Sequence, residues 1–138
     1  MTDEGTTPDS EQRARGKALM KDVYGWDVDH VVGPFVEYTV DHLFAEVWNE
    51  GKLTVKERRL MLIGMAAGSG LEDVAGLQLD AAVRLGELDA DDLRTIVVFL
   101  AHYAGWPRAA KLNTEVEAII ARTAKAEAKA AAEEAGRS

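Results

Sequence analysis

The sequence predicts an all-α fold of about six helices, and three observations point to it. Two Thr/Ser-x-x-Glu boxes, Thr54 to Glu57 and Ser69 to Glu72, have the pattern that caps a helix N-terminus. Gly51, Gly86 and Gly105 each fall just past a stretch of helical periodicity, where a left-handed cap is needed. No run alternates with period two for long enough to make a sheet.

The elements follow in order. Residues 1–9, rich in Thr, Gly, Pro and Asp, read as a mobile lead-in. A first helix runs from Asp9 or Ser10 to about Tyr24 and is closed by Gly25. Trp26 to Gly33 reads as a loop that ends at Pro34, a residue suited to a first helical turn. From Pro34 to Asn49, Val36, Val40, Leu43 and Val47 keep helical spacing, so one helix with that apolar stripe is expected. Thr54 and Ser69 open the next two helices. Asp89-Ala-Asp-Asp92 opens another and places negative charge where the helix dipole favours it. Pro107 opens the last. Its tail, Ala121 to Ala135, holds 8 Ala in 15 residues mixed with Lys and Glu. Such a composition favours helix yet has almost no apolar stripe, so a solvated, frayed extension is expected. The organisation is thus a lead-in over 1–9, a single domain over 10–120 and an Ala-rich tail over 121–138.

Two segments are apolar on nearly every side: Leu60-Met-Leu-Ile-Gly-Met-Ala-Ala and Ile96-Val-Val-Phe-Leu-Ala. A helix without a polar face is enclosed all round, and a 138-residue chain can hardly enclose two. Self-association is the economical expectation. Gly64, Ala67 and Gly68 then read as small residues that let helices approach closely, and Trp26, Trp48 and Trp106 as core or interface aromatics.

Charge and cysteine content exclude several functions. The formal net charge is −8, and residues 31–107 hold 12 acidic against 6 basic side chains. A phosphate backbone would be repelled, so no nucleic-acid partner is expected. With zero Cys there is no disulfide, no thiolate metal site and no sulfur nucleophile. The acidic, polar start is not a signal peptide. No uncharged stretch is long enough to span a bilayer, so no membrane partner and a cytoplasmic location are expected.

Three histidines are available for proton transfer: His30, His42 and His102. His30, between acidic residues, reads as an exposed surface group. His42 lies one turn after Tyr38 and one turn before Glu46, away from the solvent-like positions Glu37 and Asp41. On that stripe, a carboxylate can orient an imidazole as a general base. The same spacing also fits a hydrogen-bonded pair that only supports packing. His102, at the end of an apolar helix, is either satisfied inside an interface or faces a cavity. His42 and Glu46 offer two metal ligands where a site needs a third, so no metal is expected. Gly68-Ser-Gly70 is too short, and its sequel too acidic, for a phosphate loop.

Leu43-Phe-Ala-Glu-Val-Trp48, Leu53-Thr-Val-Lys-Glu-Arg-Arg-Leu60 and Tyr103-Ala-Gly-Trp-Pro107 resemble blocks of the carboxymuconolactone decarboxylase family. They stand in family order from about Pro34 to Leu112, with a helix ending Ala81-Ala-Val-Arg-Leu-Gly86 between them. The resemblance implies an all-helical, alkyl hydroperoxidase D-like fold whose subunits interlock as trimers or hexamers. Peroxidase members of the family use a Cys-x-x-Cys pair, a histidine four residues later and an assisting glutamate. In register, the cysteine positions fall on Leu71 and Val74, the histidine on Gln78 and the glutamate on about Arg59. A thiol peroxidase is therefore excluded.

The decarboxylase branch needs acid/base groups but no sulfur and no cofactor, and its histidine also falls on Gln78. The expected function is a cofactor-independent, lyase-type enzyme acting on a small lactone or carboxylated ring-cleavage metabolite. His42, Glu46 and His102 are its candidate catalytic residues. Gln78, Tyr103, Trp48, Arg58 and Arg59 are candidates for binding substrate, the arginines because guanidinium grips carboxylate with two bonds. Both arginines also fit a salt bridge to Glu57 or to a neighbouring subunit. The alternative is a non-catalytic oligomer that keeps the fold and a pocket.

Overall fold

The structure, a computed structural model, describes residues 10–137, so the expected lead-in over 1–9 lies outside it. Six α-helices and no strand occur among the described residues: α1 (Ser10–Tyr24), α2 (Gly33–Tyr38), α3 (Val55–Gly68), α4 (Glu72–Arg84), α5 (Ala90–Ala104) and α6 (Trp106–Gly136). A π-helical segment, Thr39–Phe44, continues α2, and a short 3-10 turn covers Val47–Asn49. The chain divides into two compact units, one ending at Arg59 and the other starting at Leu60, with the division inside α3.

In the first unit, α1 packs on the π segment. The expected single helix from Pro34 to Asn49 is broken here. The Ala45 N–H donates to the Val40 carbonyl at 3.1 Å, an i to i−5 bond that inserts one extra residue into the turn. The buried residues are consequently Val40, Asp41, Phe44, Ala45 and Trp48, and the expected stripe fails at Leu43 and Val47, which are 40% and 41% exposed. Asp41, read from the sequence as solvent-facing, is buried (8% exposed). The close approach of α1 depends on Gly16, where an added Cβ would stand 1.9 Å from the Val40 carbonyl oxygen.

One of the two expected Thr/Ser-x-x-Glu boxes forms, and the helix start at Asp89 closes in the same way. The Thr54 N–H donates to Glu57 Oε1 at 2.8 Å and the Glu57 N–H to Thr54 Oγ1 at 3.1 Å. Asp89 and Asp92 exchange the same pair of bonds at 3.0 and 2.9 Å. Ser69 and Glu72 do not, because Ser69 lies in the turn that closes α3, its N–H donating back to the carbonyls of Met65 and Ala66. Gly70 (φ +74) turns the chain there, and the N–H groups of Leu71 and Gly70 donate to the carbonyls of Ala66 (2.8 Å) and Ala67 (3.2 Å). This pairing of the last turn needs a left-handed residue, which glycine supplies without a Cβ clash. Helix α4 therefore starts after Leu71 with no side-chain cap.

In the second unit, Ile63, Ala66 and Ala67 of α3 join Leu79, Leu93, Val97, Leu112, Val116 and Ile119 of α4, α5 and α6 in one apolar core. Nothing in the same chain stands within 4 Å of a Cβ built on Gly64 or Gly68, so the expected close approach at these glycines is not made by the chain's own helices. Helix α6 runs unbroken for 31 residues, so the Ala-rich tail is exposed as expected but helical to Gly136 rather than frayed. None of the described helices is long and apolar enough to cross a membrane.

Two carboxylates tie this fold to pH. Hydrogen bonds from the Thr54 backbone N–H and hydroxyl side chain hold the Glu57 carboxyl below the ordinary glutamate range. A hydrogen bond and attraction from Arg94 do the same for Glu117, whose oxygens both lie 2.9 Å from that guanidinium. A carboxyl with a lowered folded pKa contributes stability above its unfolded value of about 4.3, lost as pH falls through the folded value. Urea midpoints should therefore drop on acidification below about pH 4.5, and Glu57→Gln should flatten that limb. An unchanged acid limb would rule out the Glu57 contribution.

Candidate functional site

The π segment presents neighbouring residues in opposite directions. Asp41 turns inward, where Arg13 Nε and Nη2 meet its two oxygens at 3.0 and 2.7 Å and the Gln12 amide donates to its backbone carbonyl. The Asp41 hydrogen bond raises the Arg13 guanidinium further above its ordinary value, and nearby Glu37 adds to this. His42 turns outward, and its Nδ1 lies 2.8 Å from Glu46 Oε1. An ionised carboxylate only accepts, so Nδ1 carries the proton and the neutral ring presents a free Nε2 lone pair.

The pair is exposed in the single chain, with His42 at 61% and Glu46 at 56% side-chain exposure. The enclosed setting expected for His42 is therefore absent within one chain. Along the same stripe stand Tyr38 and Phe35, 72% and 84% exposed.

His102 also carries a defined proton. Its Nδ1 lies 2.7 Å from the Val98 carbonyl, which can only accept, so Nε2 is the free nitrogen. The ring stands edge-on to Trp106 at 5.6 Å. With Asp91, Arg94, Thr95, Val98 and Phe99, His102 lines a shallow groove of 650 Å³ along α5. Tyr103 is 79% exposed and leans on Phe99 at 5.1 Å.

The remaining candidates are placed as follows. Trp48 is buried and stacks on Phe44 at 5.2 Å. Arg58 donates to the carbonyls of Val47 and Glu50, bracing the 3-10 turn rather than pairing with Glu57. Arg59 is fully buried, and Gln78 is 4% exposed. His30 is exposed, as expected. Among the described residues no three His, Asp or Glu side chains are placed to hold a metal.

A profile of the Carboxymuconolactone decarboxylase family matches residues 33–118, more than half of the chain. The chain belongs to the carboxymuconolactone decarboxylase family. No curated protein and no solved structure matches it significantly.

Within this family, the chain is a cysteine-free member. Leu71, Val74, Gln78 and Arg59, which the sequence resemblance set in register with the cysteines, histidine and glutamate of the peroxidase members, carry no thiol, imidazole or carboxylate, and Gln78 and Arg59 are buried. A carboxamide hydrogen-bonds but does not shuttle protons at neutral pH. The matched region of this carboxymuconolactone decarboxylase relative includes the His42–Glu46 pair and His102 but leaves out α1, and with it Arg13.

Proposed function

We propose that the protein is a cofactor-independent acid/base enzyme of the carboxymuconolactone decarboxylase family that works as a homo-oligomer in the cytoplasm. Its substrate is a small lactone or a carboxylated ring-cleavage metabolite. The observation that carries this reading is the 2.8 Å contact between His42 Nδ1 and Glu46 Oε1. It fixes the tautomer and leaves Nε2 to take a proton from substrate, with the carboxylate steadying the imidazolium formed. In a decarboxylation, the carbon that loses CO2 keeps the electron pair and needs a proton, which that imidazolium can return.

Self-association is part of this proposal. Support comes from the outward apolar side chains of the second unit. Met61 and Met65 of α3 are 57% and 51% exposed, and Val98 and Phe99 of α5 are 59% and 61% exposed. Between them Leu60, Ile63, Gly64, Ile96 and Phe99 line a 320 Å³ apolar cleft. Contiguous apolar surface of this kind marks interaction sites. Light scattering at micromolar concentration should give a trimer or larger. A clean 15.0 kDa species would reject the assembly.

A second reading, a non-catalytic oligomeric binding protein, is favoured by Gln78 at the family's histidine position and by the exposure of both remaining candidate histidines. A thermal-shift screen with small lactones and aromatic ring-cleavage products separates the two, since a specific ligand stabilises the folded state. Ligands that stabilise and are turned over support the enzyme. Stabilisation without turnover supports the binding protein.

A further inference from the structure

Helix α1 lies outside the matched family region, yet it makes three contacts with two consecutive residues of the π segment. Gly16 lets α1 close onto the Val40 carbonyl, the same carbonyl that accepts the i−5 bond from Ala45. Arg13 grips both oxygens of Asp41, and the Gln12 amide bonds the Asp41 carbonyl. The next residue is His42.

A π turn differs from an α turn by one residue and is rare, so contacts from a neighbouring helix can bear on its register. Among the described residues Asp41 is the only buried acidic side chain, and a buried carboxylate without its partner is costly. Removal of Arg13 would draw Asp41 outward and rotate the backbone that aims His42 at Glu46.

We infer that Arg13 is a positioning residue for the His42–Glu46 pair, acting through Asp41 to hold the π segment in register. The inference rests on the proposed role of that pair, and its test distinguishes failure of the pair from failure of the clamp.

The three histidines of the intact chain can be read together by nitrogen-15 NMR of their ring atoms, above the pH at which they are neutral. His30, exposed in a loop, reports an unconstrained ring, and His102, bonded to the Val98 carbonyl, reports a fixed one. In the unmodified protein, His42 should match His102, with Nδ1 protonated. Arg13→Lys keeps the charge opposite Asp41 but not the two-bond fork, and it should move His42 toward the mixed signal of His30 while His102 stays put. Arg13→Ala should move it further. A His42 that matches His30 before any substitution would overturn the pair itself. A His42 fixed in the parent and equally fixed in folded Arg13→Lys would overturn the clamp alone.

Discussion

Gly16→Ala is expected to be the most destabilising glycine-to-alanine change in the helices among the described residues. The new Cβ would stand 1.9 Å from the backbone oxygen of Val40, and a backbone atom held by its own hydrogen bond cannot swing aside as a side-chain tip can. Overpacking typically costs about 1–3 kcal/mol, and this geometry belongs at or above the top of that range. The loss should be confined to the first unit. Amide hydrogen exchange over residues 10–49 should speed up by about 10²-fold at the upper cost, while the core around Leu79 and Leu112 keeps its protection. Gly76→Ala is the matched comparison. Its Cβ would meet Glu115 Oε2 at 2.9 Å, the far end of a flexible side chain, so the helix-propensity gain of about 1 kcal/mol should offset the contact. Equal stability of Gly16→Ala and the parent would show that α1 does not dock this way.

On a substrate found by ligand screening, His42→Ala should lower kcat by about 10²–10⁴-fold, the usual contribution of a general acid/base. Glu46→Gln should cost less, since an amide can still accept from Nδ1–H but does not stabilise the imidazolium. Both side chains are more than half exposed in the single chain, so neither change should lower the stability of the folded subunit by more than about half a kcal/mol. His30→Ala is the control and should leave turnover intact. Near-full turnover in His42→Ala would reject His42 as the proton carrier and direct the same test to His102.

What could be read from the sequence was mostly local. The boxes at Thr54 and Asp89 form because each closes over three residues, and the His42–Glu46 contact spans four. The box at Ser69 fails for an equally local reason, in that Gly70 ends α3 at the same residues that would have begun α4. The π segment left no trace in periodicity, since one added residue shifts a short stripe without abolishing it. Asp41 looked like a surface residue because the guanidinium that buries it lies 28 positions earlier. Arg13 itself had no signal, in a helix whose neighbours are nearly all polar. The burial of Gln78 and Arg59 is likewise a product of packing.

The long solvated end of α6 affects how unfolding can be observed. From Ala124 to Gly136 every residue is exposed, so local forces, namely backbone hydrogen bonds, alanine propensity and a loose Glu134–Arg137 ion pair, hold that stretch in helix. A short isolated helix melts gradually and begins to do so well below the transition of a packed core. Ellipticity at 222 nm should therefore decline steadily on warming before any core side chain is released. In a variant that keeps Trp48 as its one tryptophan, the emission maximum, set by stacking on Phe44 in the first unit, should hold its wavelength over the same interval. The two probes will disagree even if each unit unfolds in one step, and a van't Hoff enthalpy taken from ellipticity alone will come out too small.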